Sequence, residues 1–483
     1  MMQSRILKEQ AGEGDFYRLL DAFSGLPTCV ALWSHAPPSD QSACGGHYPL
    51  HYFENEGWLA VSRKKNSPTE DPCSLSSLRD CLNNPHRHLF GYFSYDLKNE
   101  LEALTSTGTD PFEFPPLWFF EPELLLRFRG GRIECLHAET ELLPICRQAL
   151  QATDVAGCAL AGTPSGTTDP DSAAIGMEND KIAVHRGPHS EDPAKSGLPF
   201  EPMLTFAEYR NSIEAIRRHI TGGDVYELNY CMEWQSRDAH ISPVATWKAM
   251  NERTRAPFSV YLRMNHHYVL CASPERFLRK QGTQLISQPI KGTAPRHRDV
   301  GVDRQNARGL ESSRKEMAEN LMIVDLVRND LSRSCAAGTV LVPELCKVFA
   351  LQTVHQMCST VTGKLLPQTH PLDALLNAFP MGSMTGAPKI SAMQLIDRLE
   401  PFKRGIFSGS IGYFTPYGDF DFNVVIRSLL YRSDIKLAVV RAGSAITYDS
   451  TAEQEWVECH LKAQAILDAP TDAKPGKKFL RRE

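Results

Sequence analysis

The sequence lacks the cysteine spacing of a zinc site or of a disulfide framework. Its 13 cysteines are scattered from Cys29 to Cys459, their number is odd, and none forms a Cys-x-x-Cys pair. Structural zinc sites commonly use such closely spaced pairs, so the sequence argues against one. Scattered single thiols are instead typical of a protein in a reducing compartment.

Long apolar runs and clustered positive charge are also missing. No apolar stretch approaches the ~20 residues that span a bilayer, and the first residues lack the apolar core of a signal peptide. The formal net charge is −5, which argues against a general nucleic-acid binder because such binding depends on positive charge. We therefore expect a soluble, cytoplasmic protein with neither a membrane nor a nucleic acid as its partner.

Nucleotide-binding motifs and internal repeats are absent as well. No Gly-x-Gly-x-x-Gly follows a predicted strand. The small-residue loop at residues 382–389 lacks the spacing of a P-loop, although its backbone N–H groups could bind an anion. What remains is a chain of 483 residues with 42% hydrophobic and 23% charged residues, which is ordinary for a soluble globular protein.

The distribution of apolar and turn residues divides the chain into four parts. Residues 1–150 alternate short apolar runs with turns and indicate a sheet-rich N-terminal region. Residues 151–200 are rich in Gly, Ser, Thr, Pro and Asp, which predicts a linker or a mobile insertion. Residues 201–470 have regular helix and strand patterns, and residues 471–483 form a basic tail.

Local patterns predict individual elements. A strand that runs into a helix is expected at residues 88–97, and helices are expected at residues 206–221 and 313–331. Further strands are expected at residues 29–33, 58–61, 124–128, 225–232, 259–263, 268–272 and 285–290.

Lys291 follows the last of these predicted strands, within the sequence Pro-Ile-Lys-Gly-Thr. A lysine before a glycine is ordinarily exposed at the junction of a strand and a turn. The end of a strand is also a usual location for catalytic residues. If Lys291 is partly desolvated or lies near another cation, it loses its proton more easily and can act as a nucleophile or base.

Two pairs of glutamates are each spaced to share one helix face. Glu316 and Glu319 lie three residues apart, as do Glu455 and Glu458. Carboxylates from two helices would suit Mg²⁺, which prefers oxygen ligands and often combines one or two carboxylates with an anionic ligand. The alternative is that these are ordinary solvated glutamates, because such pairs are common on helices.

Capping and surface ion pairs are further structural alternatives. Ser313 is spaced to form a capping box with Glu316. In the second helix the capping box would use Ser450 and Glu453, which leaves the second glutamate pair free. Lys462, one turn beyond that pair, could form a surface ion pair with it.

Arg427 is flanked by apolar residues, which suggests a buried strand. A buried arginine needs an anionic partner, so we expect either an internal ion pair or a ligand carboxylate. Residues 441–445, Arg-Ala-Gly-Ser-Ala, are expected to form a loop that brings backbone donors close to a ligand, or simply a tight turn.

Seven motifs, in this order, resemble those of the chorismate-utilising enzymes, which include anthranilate synthase component I, aminodeoxychorismate synthase component I, and the isochorismate and salicylate synthases. The motifs are SPERF at 273–277, PIKGT at 289–293, KEMAE at 315–319, DLVRND at 325–330, TGAPK at 385–389, IRS at 426–428 and RAG at 441–443. The resemblance implies an α+β fold of the anthranilate synthase component I type, with two packed β-sheets and helices outside. It also implies that residues 201–470 are the chorismate-binding catalytic domain.

Position 291 separates the branches of this family. Anthranilate synthases have alanine in the corresponding motif, whereas aminodeoxychorismate synthases have lysine, as this chain does. The isochorismate and salicylate enzymes also use a lysine, but normally not within this motif. The resemblance therefore implies the aminating branch, which makes the precursor of 4-aminobenzoate in folate synthesis. The alternatives are another product from chorismate and, least favoured, a non-catalytic family member.

The resemblance also implies a Mg²⁺ cofactor. Glu319 and Glu458 would bind the ion directly, and Glu316 and Glu455 would support it, partly through water. The ion would hold the ring carboxylate of chorismate and offset its charge.

Catalytic and substrate-binding roles are implied in the same way. Lys291 would attack ring carbon C2 of chorismate while Glu275, as general acid, protonates the leaving C4 hydroxyl, and ammonia would then add at C4 and expel the lysine. The residues implied to bind substrate are His355, Thr385, Tyr413, Arg427, the backbone of Gly443, and Lys462.

Two features differ from the family pattern. The carboxylate-binding loop reads Ala-Gly-Ser-Ala. Ala445 still offers its N–H group but does not readily adopt a positive φ, so the sequence leaves the carboxylate contact at that residue open without affecting the reaction. The nucleophile motif of the family's glutaminase is also absent. Ammonia is therefore expected from a separate glutaminase subunit, component II, or from solution.

Overall fold

A computed structural model describes residues 5–35, 56–64, 73–84, 87–151 and 198–468. The predicted linker lies almost wholly outside these described residues, and the basic tail lies wholly outside them. Within the described ranges, no helix is both long and apolar enough to cross a membrane.

The strands, in chain order, are β1 Arg5–Lys8, β2 Thr28–Trp33, β3 Glu56–Ser62, β4 Leu89–Phe93, β5 Leu117–Phe120, β6 Leu124–Arg129, β7 Arg132–Ala138, β8 Glu201–Pro202, β9 Glu227–Ser236, β10 Phe258–Met264, β11 His267–Ser273, β12 Arg276–Gln281, β13 Gln284–Gln288, β14 Ile290–Pro295, β15 Leu341–Ala350, β16 Val354–Lys364, β17 Gly386–Ala387, β18 Ser410–Phe414, β19 Phe420–Asn423, β20 Ser428–Arg432 and β21 Leu437–Ile446.

The α-helices are α1 Glu13–Phe23, α2 Leu75–Leu82, α3 Lys98–Leu101, α4 Leu143–Gln151, α5 Phe206–Thr221, α6 Pro243–Thr254, α7 Val300–Glu311, α8 Arg314–Ser332, α9 Pro371–Ala378, α10 Lys389–Leu399 and α11 Ala452–Leu467. Short 3₁₀ turns lie at Tyr95–Leu97 and Gly382–Met384.

The strands form two antiparallel sheets. The larger has the order β1-β7-β6-β3-β2-β10-β11-β20-β21-β9-β17, with β8 also paired to β9. The smaller has the order β14-β16-β13-β12-β19-β18-β4-β5, with β15 also paired to β16. Strands of the N-terminal region enter both sheets, because β2 pairs with β10 and β4 pairs with β18. The N-terminal region and the rest of the chain therefore share both sheets.

Alternate residues along the strands fill two cores. In β10, Val260 and Leu262 belong to a core shared with Phe422 of the smaller sheet, so this core lies between the sheets. Tyr261 belongs instead to a second core, which includes helix residues such as Phe16 and Ile213. The sheets thus pack against each other with helices outside, and the predicted α+β fold is confirmed.

Proline changes the predicted strand before Lys291. The predicted strand at residues 285–290 is divided into β13 and β14 at Pro289, which has no N–H group to add to the ladder with β16. Lys291 is therefore the second residue of β14, and the predicted junction of a strand and a turn is wrong.

Two other local predictions are also wrong. Residues 424–427 connect β19 to β20 instead of forming a strand, and Arg427 has a φ of 53°. Residues 441–445 are not a loop, because they lie within β21 and pair with residues 229–233 of β9. Ala445 has no positive φ, so the restriction expected for an alanine there does not apply.

Two connections carry the chain between the sheets and lie side by side. Glu275 lies between β11 of the larger sheet and β12 of the smaller, and Arg427 lies between β19 and β20. The N–H of Val424 donates to the carbonyl of Glu275 at 3.1 Å, and the N–H of Ala272 donates to the carbonyl of Arg427 at 3.1 Å. Glu275 and Arg427 are therefore fixed where the two sheets meet.

A buried ion pair lies beside this junction. Arg404 and Glu400 each have about 1% of the side chain exposed, and their charged groups are 2.6 Å apart. The Arg404 guanidinium also donates to the carbonyl of Asn229 on β9 at 2.8 Å and to the carbonyl of Met384 at 2.6 Å. One cation thus connects the end of α10, the larger sheet and the 3₁₀ turn.

We expect Arg404→Met to lower the free energy of unfolding by about 3–5 kcal/mol, because it leaves the Glu400 carboxylate buried without its partner. Arg210→Met is the control: Arg210 and Glu214 form an exposed ion pair, for which about 1 kcal/mol or less is expected. Urea denaturation followed by circular dichroism measures both changes. Equal transitions for Arg404→Met and the wild type would contradict this assignment.

Candidate active site

Lys291 extends from the smaller sheet toward the larger one. Its Nζ lies 2.8 Å from Oε1 of Glu227 on β9 and 4.0 Å from Oε2 of Glu319 on α8. The lysine side chain is 11% exposed and that of Glu227 is 1% exposed. Lys291 is therefore a largely buried, ion-paired lysine, and the interpretation as an ordinary surface residue is wrong.

The charges around Lys291 favour its protonated form. Burial lowers the pKa of Lys291, but the carboxylates of Glu227, Glu319 and Glu458 outweigh this effect and hold the pKa above its ordinary value. The sequence suggested desolvation or a nearby cation, either of which would lower the pKa. The carboxylate that dominates, Glu227, was not among the predicted site residues.

Gly292 lets a carboxylate approach the chain beside Lys291. It has a φ of 79°, and a Cβ there would lie 2.9 Å from Oε2 of Glu316. Any side chain at position 292 would therefore be strained and would displace Glu316. The glycine after the lysine is explained by the packing of β14 against α8.

The four predicted metal-binding glutamates gather around Lys315. Its Nζ lies 3.8 Å from Glu319 and 3.9 Å from Glu455. Burial lowers the pKa of Lys315, but the carboxylates of all four glutamates, including Glu316 and Glu458, raise it above its ordinary value. The structure therefore brings together α8 and α11, as the two glutamate pairs predicted.

Glu455 is the most informative member of this group. Its Oε1 accepts a hydrogen bond from Ser450 Oγ at 2.8 Å. Its Oε2 is buried and has no hydrogen-bond partner among the described residues. The predicted capping box of Ser450 and Glu453 is wrong, because α11 is capped by Thr451, which accepts from the N–H of Gln454.

The donor set is of the kind that Mg²⁺ uses, since it consists of carboxylates and includes a buried oxygen without a partner. In the part of the chain that the structure describes, no three His, Cys, Asp or Glu side chains are already arranged as ligands around one point. Lysines 291 and 315 instead lie among the carboxylates and offset part of their charge.

Glu275 is 3% exposed and faces the same region. Its Oε1 accepts a hydrogen bond from Ser383 Oγ at 2.7 Å. Burial raises the pKa of Glu275 to about 7, although Ser383, Lys291 and the backbone of Ile290 act in the opposite direction. A carboxyl group with this pKa can be protonated near neutral pH, as a general acid requires.

Two backbone N–H groups of the small-residue segment at residues 382–389 are used within the turn and are not directed at a ligand. The N–H groups of Met384 and Thr385 donate to carbonyls within the turn, at 3.1 Å each. The hydroxyl of Thr385 also donates within the turn, to the carbonyl of Met381 at 3.3 Å. Thr385 is fully buried there, two residues after Ser383.

Three predicted substrate-binding residues meet at the junction of the sheets. Lys462 donates from Nζ to the carbonyl of Gly443 at 3.0 Å and lies 2.5 Å from Glu458. Arg427 donates to the carbonyl of Lys462 at 3.1 Å. Burial lowers the pKa of Arg427, an effect that Glu458 partly offsets. No carboxylate among the described residues lies within ion-pair distance of Arg427, so the expected internal partner is not found.

His355 and Tyr413 are not brought to this group. His355 is buried beside α7, where its Nε2 lies 2.9 Å from Asp303. Tyr413 packs against Trp58 with ring centroids 5.0 Å apart and lines a separate cavity. The next residue along β16, Gln356, reaches the site instead and donates to the carbonyl of Gly292 at 2.6 Å. Neighbouring residues in a strand face opposite sides, and that alternation is the signal that distinguishes His355 from Gln356.

Three further residues at the site were missed. Glu227 and Asn229 lie on the predicted strand at residues 225–232, where a charged residue among apolar ones was a usable signal. Ser383 precedes the TGAPK motif, and its contact with Glu275 spans 108 residues of sequence, which no local pattern reveals.

The chain is similar in sequence to known proteins of one family. The family model of the chorismate binding enzymes matches residues 40–468. Aminodeoxychorismate synthase component 1 of Salmonella typhimurium is 40% identical over 292 residues, which are 59% of this chain and 62% of that protein. The match therefore leaves more than a third of that relative uncovered. Anthranilate synthase component 1 of Thermus thermophilus is 32% identical over 392 residues, which are 80% of this chain and 78% of that protein.

The fold has relatives among solved structures. The crystal structure of anthranilate synthase component I from Streptococcus pneumoniae superposes with a TM-score of 0.65 at 23% identity, covering 92% of this chain and 93% of that one. It supports the fold expected from the seven motifs. Together with the extent of the family match, these relationships show that the chain belongs to the chorismate binding enzyme family.

Proposed function

We propose that this chain is the chorismate-aminating component of aminodeoxychorismate synthase, a transferase that makes 4-amino-4-deoxychorismate for 4-aminobenzoate and folate biosynthesis. The observation that carries the proposal is the largely buried, ion-paired lysine at position 291, which lies near a carboxyl group, that of Glu275, whose pKa is raised to about 7. A nucleophile and an acid in one enclosed site suit a substitution in two steps. The relative from Salmonella supports the same activity.

In the first step, Lys291 gives one proton to the carboxylates around it, of which Glu227 is 2.8 Å away, because only the neutral amine has a lone pair. Nζ then bonds to ring carbon C2 while the C4–O bond breaks, and the proton of Glu275 goes to the departing hydroxyl, which leaves as water. The nitrogen bonded to C2 is then positively charged, and it becomes neutral when the C2–Nζ bond breaks in the second step. In the second step, the nitrogen of ammonia bonds to C4, the bond between C2 and Nζ breaks, and Lys291 is regenerated. Each step replaces one bond, which is easier than a direct exchange of hydroxyl for amine.

The cluster of four glutamates around Lys315 would hold a Mg²⁺ ion. Glu319 and Glu458 would bind it, and Glu316 and Glu455 would support it. When bound, the ion would neutralise the ring carboxylate of the substrate.

Substrate carboxylates would also contact the cations at the junction of the sheets. Arg427 suits this role because its partner in the structure is a backbone carbonyl, which leaves its charge unmatched. Lys462 and the backbone of Gly443 adjoin it.

Ammonia would come from a separate glutaminase subunit. The relative from Salmonella is named component 1, which is consistent with a two-component enzyme. Free ammonium should replace that subunit in the assay, because the proposed site itself uses ammonia and not glutamine.

The second candidate function is anthranilate synthesis. It is favoured by the relative from Thermus, which matches a larger share of this chain than the relative from Salmonella does. The lysine at position 291 argues against it, and the identity of the product decides between the two.

With chorismate, Mg²⁺ and ammonium, we expect the wild type to form aminodeoxychorismate and Lys291→Ala to lose on the order of 10³-fold or more of the rate. Liquid chromatography with mass spectrometry identifies the product. Lys280→Ala is the control, because Lys280 is also buried and lies 2.9 Å from a carboxylate, that of Asp419, outside the site. Anthranilate as the product, or an active Lys291→Ala variant, would refute the proposal.

The rate should fall as the pH rises through about 7. The folded-state pKa of Glu275 is raised to about 7 from an ordinary 4.5, so the acid is protonated below this range and loses its proton above it. A profile of kcat/KM for chorismate against pH, recorded at a fixed concentration of neutral ammonia, measures the descending limb, and Glu275→Gln should be nearly inactive throughout. A rate that rises steadily across this range would contradict Glu275 as the acid.

We expect Mg²⁺ to raise the thermal midpoint of the wild type, because a ligand that binds only the folded state stabilises it. Glu319→Gln and Glu458→Gln should lose most of this increase. Glu214→Gln, which changes an exposed glutamate, should retain it. An equal increase in all four proteins would show that the ion binds elsewhere.

A further inference from the structure

The hydrogen bond between Ser383 and Glu275 fixes one oxygen of the proposed acid. Ser383 Oγ lies 2.7 Å from Oε1 of Glu275, and both side chains are buried, at 6% and 3% exposure. A serine hydroxyl has one hydrogen to donate. Since that hydrogen goes to Oε1, the neutral form of Glu275 carries its own proton on Oε2.

The turn that carries Ser383 is itself held from several sides. Asn229 Nδ2 donates to the carbonyl of Ser383 at 3.1 Å. Arg404 donates to the carbonyl of Met384 at 2.6 Å, and Thr385 donates to the carbonyl of Met381. These hydrogen bonds occupy backbone carbonyls of the turn, and the Ser383 hydroxyl is directed at the Glu275 carboxyl.

We propose that Ser383 is a positioning residue for Glu275, whose hydroxyl holds Oε1 and leaves Oε2 to carry and deliver the proton. This inference rests on the proposed role of Glu275 as the general acid. In the step concerned, the bond between Oε2 and its hydrogen breaks, the proton bonds to the departing C4 hydroxyl oxygen, and Glu275 becomes a carboxylate. The hydrogen bond from Ser383 strengthens as that negative charge forms.

The other charged and titratable groups that face Glu275 come from four elements. Lys291 on β14 acts on its charge, and the Cys358 thiol on β16 faces it. Arg276 and Asp330 line the small cavity beside it. Arg276 is paired with Asp421 at 3.0 Å, and Asp330 is paired with Lys389 at 2.7 Å. Among the described residues, Ser383 supplies an uncharged side chain that donates a hydrogen bond to the Glu275 carboxyl, at 2.7 Å.

The test compares Ser383→Ala with Ser383→Thr, which keeps the hydroxyl. We expect Ser383→Ala to lower kcat about 10-fold, with a much smaller change in the KM for chorismate, because the acid loses its orientation while binding is retained. The descending limb of the pH profile should move to higher pH, because the lost bond favoured the charged form. Ser383→Thr should restore both the rate and the limb.

Ser287→Ala is the matched control. Ser287 is also 6% exposed and donates at 2.7 Å, but its acceptor is the carbonyl of Phe277. Ser287→Ala should lower the free energy of unfolding without moving the descending limb of the pH profile. If Ser383→Ala has the wild-type profile, or if both alanine variants lose rate equally with no movement of the limb, the inference is overturned.

Infrared difference titration separates this inference from the proposed function. The C=O band of the protonated Glu275 carboxyl, assigned by its loss in Glu275→Gln, can be followed without any substrate. We expect the band to persist to higher pH in Ser383→Ala than in the wild type. If it does so while Glu275→Gln remains active, the hydrogen bond stands but the proposed chemistry fails. An unchanged band overturns the inference.

Discussion

The contact between Lys291 and Glu227 joins the two sheets at the site. Lys291 belongs to β14 at one edge of the smaller sheet, and Glu227 begins β9 near one end of the larger. A buried lysine without a partner would be costly, so the two sheets must keep a spacing that preserves the 2.8 Å contact. The two crossing connections, with Glu275 and Arg427, hold the same junction from the backbone side. The site thus depends on the packing of the sheets and not on any one loop.

Charge balance explains why the site suits an ion and an anionic substrate. Glu227, Glu316, Glu319, Glu455 and Glu458 surround the lysines at positions 291, 315 and 462. The five carboxylates exceed the three lysines. Burial and the carboxylates of Glu227 and Glu316 raise the pKa of Glu319 to about 7, although Lys291 and Lys315 act in the opposite direction. A divalent cation would offset this excess. Arg427, on the adjoining side, has no carboxylate partner in the part of the chain that the structure describes, and would suit the substrate's own carboxylate.

The sequence predicted features that depend on neighbouring residues better than contacts between residues far apart in the chain. Local signals identified α5, through its apolar pattern, and α8, which is capped by Ser313. The three-residue spacing predicted that each glutamate pair shares one helix face, and Glu319 of α8 and Glu455 of α11 both lie within 4 Å of Lys315. It was harder to predict which strand residues face the site, because a shift of one residue exchanges His355 with Gln356. Glu227 could not be assigned to Lys291, because its partner lies 64 residues away.

One strand positions both proposed catalytic groups. Glu227 and Asn229 are two residues apart on β9 and therefore project from the same face. The first holds the amine of Lys291, and the second holds the carbonyl of Ser383, whose hydroxyl holds Glu275. Gly443 on the neighbouring strand β21 makes room for this arrangement, because a Cβ there would lie 2.5 Å from Oδ1 of Asn229. The nucleophile and the acid flank the hairpin of β12 and β13, and contacts from the same face of a single buried strand position both.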